Sequence, residues 1–436
     1  MSGSEINNAI LSPGLYRQQD SKWIAGLSTL AYGGMFLLLC GFYLAPKVAG
    51  VQTAFYLTLL PAALLLMLWR RDYRFIWSWQ FAAFCTLPLV LALSTLWASA
   101  DVADVQRKTS FYFKLVLYLA LFYCGTYLVL ERRGDRALHQ WLLALIAVGL
   151  VSGLASLITY GLDDDLLRFR RIRGISLEGD IDKTGLLFGF HALFCCYGIA
   201  QSARPWRWLS WSGLVVSCLY IVLSQTKLPL VMALCALLLA AFISGSRLLR
   251  GLLLLAALAA LPLGYLALFG DLPLLHRSNA YSVRLELWGQ AWREFVQAPL
   301  LGSGLVHKQF IKLHHLLPHP HNYLLDVARF SGLLGLTACA WQGLGAVYTV
   351  LSREQLLTWI PGLIAAWFGF GTLAMAIYAQ QPLVKPSYIW FFYWIPLALL
   401  LARSQLQATV LQKASSRQQL PSQYSGFATI TTESNK

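Results

Sequence analysis

The residues best suited to chemistry lie in one short polar segment of an otherwise apolar chain. Residues 319–322 read His-Pro-His-Asn and residues 332–335 read Gly-Leu-Leu-Gly, with nine residues between them. Histidine is the side chain whose ordinary pKa lets it accept and return a proton near neutral pH. The two prolines around it restrict the backbone of the segment. The pattern therefore predicts that one of these histidines is a general base.

Two further histidines precede this segment and leave other interpretations open. His314 and His315, with His319 and His321, make a cluster of imidazoles, which are common zinc ligands. No carboxylate or cysteine lies within a few residues of the histidines to complete a zinc site. A purely structural role of the histidines is the other alternative. Asn322 suits the N-cap of the helix that follows, whose N-terminus attracts an anion.

Basic residues gather in the two longest polar connectors, about 161–183 and 270–322. They are Arg168, Arg170, Arg171, Arg173 and Lys183 in the first connector, and Arg277, Arg284, Arg293, Lys308 and Lys312 in the second. Lys227, at an outer helix end, adds another cation that is expected to face outward. A solvated surface or contact with lipid headgroups would explain these residues, and so would an anionic ligand. The acidic triplet 163–165 either binds a divalent metal or is neutralised by the basic residues beside it.

Residues 283–296 predict an amphipathic helix within the second connector. Trp288, Ala291, Trp292 and Phe295 fall on one face at helical spacing, which suits a helix lying at the membrane interface. Arg284 and Trp288 are four residues apart and share a face, so the arginine can point toward phosphate. An ordinary interfacial anchor is the alternative.

The composition is that of an integral membrane protein. The 436 residues are 58% hydrophobic and 12% charged, whereas soluble domains carry about 25% charged residues. All eight cysteines fall in apolar segments and are interpreted as small core hydrophobes. The net charge of +15 does not indicate nucleic-acid binding, because no soluble basic domain is present. In a membrane protein, basic residues instead report topology.

About twelve apolar runs are long enough to cross a bilayer, which predicts an all-α integral membrane protein. They lie near 23–45, 50–69, 78–98, 110–130, 138–160, 184–203, 207–224, 228–244, 250–269, 323–350, 356–380 and 388–403. The short basic connectors near 70–74, 131–136, 204–207 and 246–250 all fall on one side, which the positive-inside rule makes cytoplasmic. The two long connectors then lie outside.

These residue types suit glycosyl transfer from a lipid-linked diphosphate. Such a donor carries its own leaving group, so the enzyme must stabilise the departing charge and supply a base for the incoming hydroxyl. Arginine binds phosphate bidentately, and a positioned histidine contributes about 10²–10⁴-fold as a base. This chemistry requires no metal and no cofactor.

The chain resembles the O-antigen ligase and polymerase superfamily of bacterial inner-membrane proteins. The motif that carries the resemblance is H-N-x9-G-x-x-G, met here by His321, Asn322, Gly332 and Gly335. The family's R-x-x-x-W element is met by Arg284 and Trp288, followed by the glycine-containing segment 299–304. An outward arginine before a glycine is met by Arg173 and Gly174. Where relatives often carry Ser-Arg, this chain has Thr226 and Lys227, and lysine lacks the bidentate fork of arginine.

The resemblance implies an inverting, metal-independent glycosyltransferase that uses undecaprenyl-diphosphate-linked O-antigen as donor and lipid A–core as acceptor. It implies His321 as the base and Arg173, Arg284 and Lys227 as ligands of the diphosphate. The supporting residues are Asn322, His319, Arg170, Trp288, Gly332 and Gly335. The alternatives are an O-antigen polymerase, a protein O-oligosaccharyltransferase of the same superfamily, or a transporter or flippase for an anionic lipid-linked substrate.

The expected organisation follows from the spans and the resemblance. Residues 1–22 form a cytoplasmic N-terminus, and residues 23–269 hold nine transmembrane helices with a basic periplasmic loop near 161–183. Residues 270–322 form a large periplasmic loop with short amphipathic helices. Residues 323–403 hold the last three transmembrane helices, and residues 404–436 are a disordered cytoplasmic tail. The active site is expected on the periplasmic face of the inner membrane, in contact with membrane lipids.

Overall fold

Helices account for nearly all of the structure. The computed structural model describes residues 22–70, 73–163, 170–243, 250–251, 258, 280–306, 311–312, 316–317, 319–351 and 359–418. The longer helices are α1 (Lys22–Leu44), α2 (Val48–Trp69), α3 (Trp79–Leu93), α4 (Val102–Arg133), α5 (Asp135–Leu162), α6 (Ile181–Gln201), α7 (Arg204–Ser224), α8 (Lys227–Ile243), α9 (Ala280–Gln297), α10 (Tyr323–Leu351), α11 (Trp359–Tyr378) and α12 (Ile395–Gln418).

The described residues also contain several shorter elements. Helix α2 contains a π-helical turn at Phe55–Leu59, and another, Trp390–Trp394, leads into α12. Single 3-10 turns lie at Arg74–Trp77, Ser94–Trp97 and Leu177–Gly179. Two-residue strands β1 (Ile311–Lys312) and β2 (Leu316–Leu317) pair antiparallel.

Nine helices in the described part of the chain are long and apolar enough to cross a membrane. A spanning segment must satisfy its own backbone hydrogen bonds because the bilayer core holds no water, and a helix does so. Helix α8 has 17 residues, and most of the predicted span at 250–269 lies outside the described residues. The prediction of an all-helical, multi-spanning protein is confirmed, whereas the count of twelve spans is not.

Ion pairs gather several connectors at one end of the helix bundle. The Arg70 guanidinium lies 2.5 Å from the Glu131 carboxylate, and that of Arg403 lies 2.9 Å from Asp135. The first pair joins the end of α2 to the end of α4, and the second joins α12 to the start of α5. The connectors near 70 and 131–136, which the sequence places on one side, therefore meet at one end. That this end is cytoplasmic stays a prediction.

The C-terminal boundary in the sequence interpretation was wrong. Helix α12 continues to Gln418, whereas the tail was expected to be disordered from residue 404. Ser404, Gln405 and Gln407 are buried, and Gln405 donates a 2.6 Å hydrogen bond to the Phe75 carbonyl and accepts one from the Tyr123 hydroxyl. A polar composition suggested disorder, but these amides have buried partners. Residues 419–436 lie outside the described residues.

Helix α10 breaks where the motif glycine Gly332 has a φ of +60°. The break frees backbone groups that the segment 299–304 then satisfies. Leu333 and Leu334 donate to the carbonyls of Pro299 and Leu300 at 2.8 and 3.2 Å. In the other direction, Ser303 and Gly304 donate to the carbonyls of Arg329 and Phe330, both at 2.9 Å. The two motif segments therefore form one interlocked joint.

Candidate active site

His321 sits in a tight turn directly before α10. Its φ of +54° lies in the left-handed region, which is costly for a residue with a side chain. The turn is held locally, because the His321 backbone N–H donates to His319 Nδ1 at 3.2 Å, and the two rings lie edge to face 4.3 Å apart. His319 thus uses Nδ1 as an acceptor and supports the conformation of its neighbour.

Asn322 begins the helix as the sequence predicts. Its Oδ1 accepts hydrogen bonds from the backbone N–H groups of Leu324 at 3.0 Å and Leu325 at 3.2 Å. These are two of the N–H groups that a helix N-terminus leaves without intrahelical partners. The cap fixes the point at which the turn ends and α10 begins, and so fixes the place of His321.

Helix α9 brings its arginine to the same site. The Arg284 guanidinium lies 4.7 Å from the centre of the Tyr378 ring, at the end of α11. Trp288, one turn further along, donates from Nε1 to the Pro320 carbonyl at 3.1 Å. Leu287, Ala291 and Phe295 are buried, while Trp292 is more than half exposed, so Trp292 does not share the docked face as the helical spacing suggested.

The surroundings of His321 favour its neutral form. Burial lowers the pKa of His321 below its ordinary 6.5, and the Arg284 charge lowers it further. A hydrogen bond to the Tyr378 backbone and the Asp182 charge raise the pKa, and Lys183 lowers it, with burial the largest effect. Because a backbone carbonyl can only accept, the ring donates to Tyr378 through one nitrogen, and the other nitrogen of the neutral ring can accept a proton. The ring is suited to act as a base.

Several charged residues form ion pairs around the start of α6. Arg171 pairs with Asp182 at 2.7 Å and donates from Nε to the Ser224 carbonyl at 2.8 Å. Lys183 pairs with Asp180 at 2.7 Å and stands 5.0 Å from the Tyr388 ring. Asp182 and Lys183 both act electrostatically on His321. Two residues at the end of the first basic connector therefore affect the pKa of His321, in opposite directions.

The other basic residues of the predicted site are Arg173 and Lys227, predicted as diphosphate ligands, and Arg170, predicted to support them. Arg170 and Arg173 are exposed and Lys227 is half-buried at the start of α8. Within the described residues, neither Arg173 nor Lys227 forms an ion pair or contacts His321 directly. Gly174 has a steric role, because a Cβ there would lie 2.9 Å from the Thr184 Cβ.

The two glycines of the motif lie away from the histidine ring. Gly332 faces the backbone of Leu300 and Leu301, and Gly335 leaves room for the Ser331 side chain. Ser331 donates to the Val327 carbonyl at 2.8 Å. These contacts give both glycines a structural role in α10.

Several residues of the site escaped sequence reasoning. Tyr378 lies at the end of an apolar helix, where a tyrosine is an ordinary interfacial residue. Glu294 of α9 pairs with Arg329 of α10, which is far away in the sequence, and Arg329 also pairs with Asp326 within α10. The signal available was the pair Asp326 and Arg329, three residues apart inside an apolar span, since charged residues there are seldom without a role.

No group of three potential metal ligands occurs in the ranges that the structure describes. His314 and His315, which suggested a zinc site, lie outside those ranges, as do Asp164 and Asp165 of the acidic triplet. His319 and His321 lie together, and an arginine and a lysine act on the His321 ring.

Known proteins resemble this chain in the region that contains the candidate site. A family model described as O-antigen ligase matches residues 212–340, which include Arg284, Trp288 and His321 but not Arg173. The chain is 30% identical over 387 residues to an O-antigen ligase of Pseudomonas aeruginosa, covering 88% of this chain and 91% of that protein. No solved structure matches the chain.

Proposed function

Because the chain belongs to the O-antigen ligase family, we propose that it transfers the O-antigen glycan from undecaprenyl diphosphate to a sugar hydroxyl of lipid A–core. The family makes it a membrane transferase of lipopolysaccharide synthesis. The transfer proceeds with inversion and without a metal or cofactor.

The observation that carries this proposal is the position of His321 between a hydrogen-bond acceptor and a cation. The Tyr378 carbonyl orients the imidazole, and Arg284, stacked on the Tyr378 ring, stands beside it. A base and a phosphate ligand are the two groups that this transfer requires. Both are held by elements outside the apolar spans, at the ends of α9, α10 and α11.

The reaction follows from these two groups. A hydroxyl of the acceptor sugar attacks the anomeric carbon of the donor and passes its proton to the free imidazole nitrogen of His321. The bond between that carbon and the phosphate oxygen breaks, and undecaprenyl diphosphate leaves with the electron pair. Attack opposite to the leaving group inverts the anomeric centre. The imidazolium then releases its proton to solvent.

Arg284 is the first ligand of the departing diphosphate. Its fork of N–H donors suits phosphate oxygens, and such charge-assisted hydrogen bonds strengthen as charge develops on the leaving group. We assign Arg173 and Lys227 to the same anion at greater distance, with Arg170 supporting them. The support for Arg173 and Lys227 is that the first is exposed, the second is half-buried, and neither forms an ion pair among the described residues.

We place the reaction on the periplasmic face of the bacterial inner membrane. The support is the chain order: His321 lies at the start of α10 and Tyr378 at the end of α11, whereas Arg70 follows the end of α2, on the side that the basic connectors predict to be cytoplasmic. The large loop at 270–322 then contributes α9 as an amphipathic helix on the periplasmic side. A donor with a polyprenyl tail and an acceptor anchored by lipid A both reach this face from the membrane.

Replacing Arg284 by glutamine should lower kcat/KM for the lipid-linked donor about 10²-fold, since a charge-assisted contact to the leaving group is worth about 3 kcal/mol in a partly dry site. The KM for lipid A–core should stay within about twofold, because Arg284 is assigned to the donor alone. Purified protein is assayed with both lipids in buffer containing EDTA, which a metal-independent reaction tolerates.

Arg293→Gln is the matched control, because Arg293 lies on the same helix and is exposed. It removes an equal charge and should leave donor use unchanged. Equal effects of the two variants would reject Arg284 as the diphosphate ligand. Activity lost on chelation in the unaltered protein would reject the metal-independent mechanism.

A further inference from the structure

A buried ion cluster joins α9 to α10 at some distance from His321. Arg329 is fully buried within α10. Its Nε donates to Asp326 Oδ1 at 2.8 Å, and its Nη1 donates to Glu294 Oε2 on α9 at 3.2 Å. The second oxygen of Asp326 accepts from the Gln381 backbone N–H at 2.7 Å. The cluster therefore touches α9, α10 and the segment that follows α11.

Such a cluster is costly to bury, and its geometry is specific. Taking charges out of water costs several kcal/mol per ion, which the mutual attraction offsets only when the hydrogen bonds are well made. Apolar contacts such as those of Leu287 and Ala291 tolerate sliding or rotation of a helix, since they have no direction. Hydrogen-bonded ion pairs do not, so the cluster fixes the position of α9 along α10.

The three elements that meet at the cluster are the ones that build the site. Arg284 lies on α9, ten residues before Glu294. His321 lies eight residues before Arg329, in the turn that opens α10. Tyr378, which contacts both Arg284 and His321, lies three residues before Gln381. A shift of α9 relative to α10 would therefore change the place of Arg284 relative to His321.

We propose that Glu294, Arg329 and Asp326 are positioning residues that hold Arg284 beside His321 and so set the recognition of the donor diphosphate. The inference rests on the proposed function for its consequence, but not for the contact itself. None of the three touches the reacting atoms. Glu294 is the member best suited to a test, because its side chain is 19% exposed and lies at the edge of the cluster.

The test replaces Glu294 by glutamine, which keeps its size and removes its charge. Glu286→Gln is the matched control, an exposed residue on the same helix. We expect Glu294→Gln to lower kcat/KM for the lipid-linked donor about fivefold, the scale of coupling between residues in one network. The KM for lipid A–core should not change. Hydrogen–deuterium exchange across residues 284–297 should quicken in Glu294→Gln alone, because α9 loses a fixed contact.

The double variant Arg284→Gln/Glu294→Gln separates positioning from general support. If Glu294 acts through Arg284, adding its replacement to Arg284→Gln lowers donor use no further. Independent, additive losses would overturn the proposal, as would exchange and kinetics equal to those of Glu286→Gln. Glu294→Asp keeps the charge at shorter reach and should show the same changes at smaller size, should the glutamine variant be poorly folded.

A failure of the proposed function gives a different result. If Arg284→Gln itself leaves donor use normal, the assignment of the diphosphate to Arg284 is wrong. The exchange measurement still decides whether Glu294 holds α9 against α10. Faster exchange in Glu294→Gln would then support the contact as a positioning device, and unchanged exchange would reject it.

Discussion

Replacing His321 by glutamine should lower the rate of glycan transfer about 10²–10⁴-fold, which is what a positioned general base contributes. Glutamine can still hydrogen-bond the Tyr378 carbonyl, but it cannot take a proton from the acceptor hydroxyl. Donor affinity should change by no more than about twofold, because the diphosphate is held by arginine rather than by the histidine. Single-turnover transfer and separate donor titration by the purified protein measure the two quantities.

His319→Asn is the control for this result. The asparagine Oδ1 can replace Nδ1 as acceptor of the His321 backbone N–H, so the turn is retained. We expect a loss of no more than about tenfold, because only the support of the turn is altered and not the base itself. Equal losses in the two variants would reject the distinction between base and support, and full activity of His321→Gln would reject His321 as the base.

Replacing Gly332 by alanine should destabilise the protein by about 2–6 kcal/mol, from strain of 1–3 kcal/mol at positive φ and a similar cost of overpacking. A Cβ there would collide with the Leu300 carbonyl group and lie 2.6 Å from the Leu301 nitrogen. The joint between α10 and the segment 299–304 would have to open. A large fall in melting temperature of the detergent-solubilised protein is the expected measurement.

Gly343→Ala tests whether the loss is specific to the joint. Gly343 lies in the same helix, and a Cβ there would meet nothing within 4 Å. Alanine in a helix interior is favoured over glycine by about 1 kcal/mol, so this variant should melt at or above the temperature of the unaltered protein. If Gly332→Ala has the same melting temperature as Gly343→Ala, the break at Gly332 does not depend on glycine.

The sequence predicts a helix well where an apolar run and a capping residue determine its position. Span α10 was placed at 323–350 and lies at Tyr323–Leu351, because Asn322 marks its start. The end of α12 was missed because buried amides such as Gln405 look like a polar tail when their partners are unknown. The break of α10 at Gly332 could not be predicted either, since a break inside an apolar run leaves its hydrophobicity unchanged.

Only some residues of the candidate site could be predicted from the sequence. His321, Asn322, Arg284 and Trp288 lie in recognisable local patterns, and the structure brings them together. Tyr378 could not be found in this way, because the positions of its backbone carbonyl and its ring depend on how α11 packs. The same holds for Glu294, whose partner Arg329 is thirty-five residues away.

The environment of His321 has a consequence for the donor complex. Arg284 lowers the pKa of His321 in the free protein. A diphosphate bound to Arg284 brings negative charge that offsets this effect, so the imidazole becomes a stronger base when the donor is present. The base is thus strengthened only when its reaction can proceed. The pH dependence of kcat/KM for the donor reports the free protein, where the Arg284 effect is complete.

The acid limb of kcat/KM for the donor, compared between the unaltered protein and Arg284→Gln, tests the pairing of base and cation most directly. The active form is the neutral imidazole, so activity falls as the pH drops through the pKa of His321, which lies below 6.5. Removing Arg284 removes a cause of that lowering, and the limb should move to higher pH. A limb that stays in place or moves to lower pH would contradict the placement of Arg284 beside a catalytic His321.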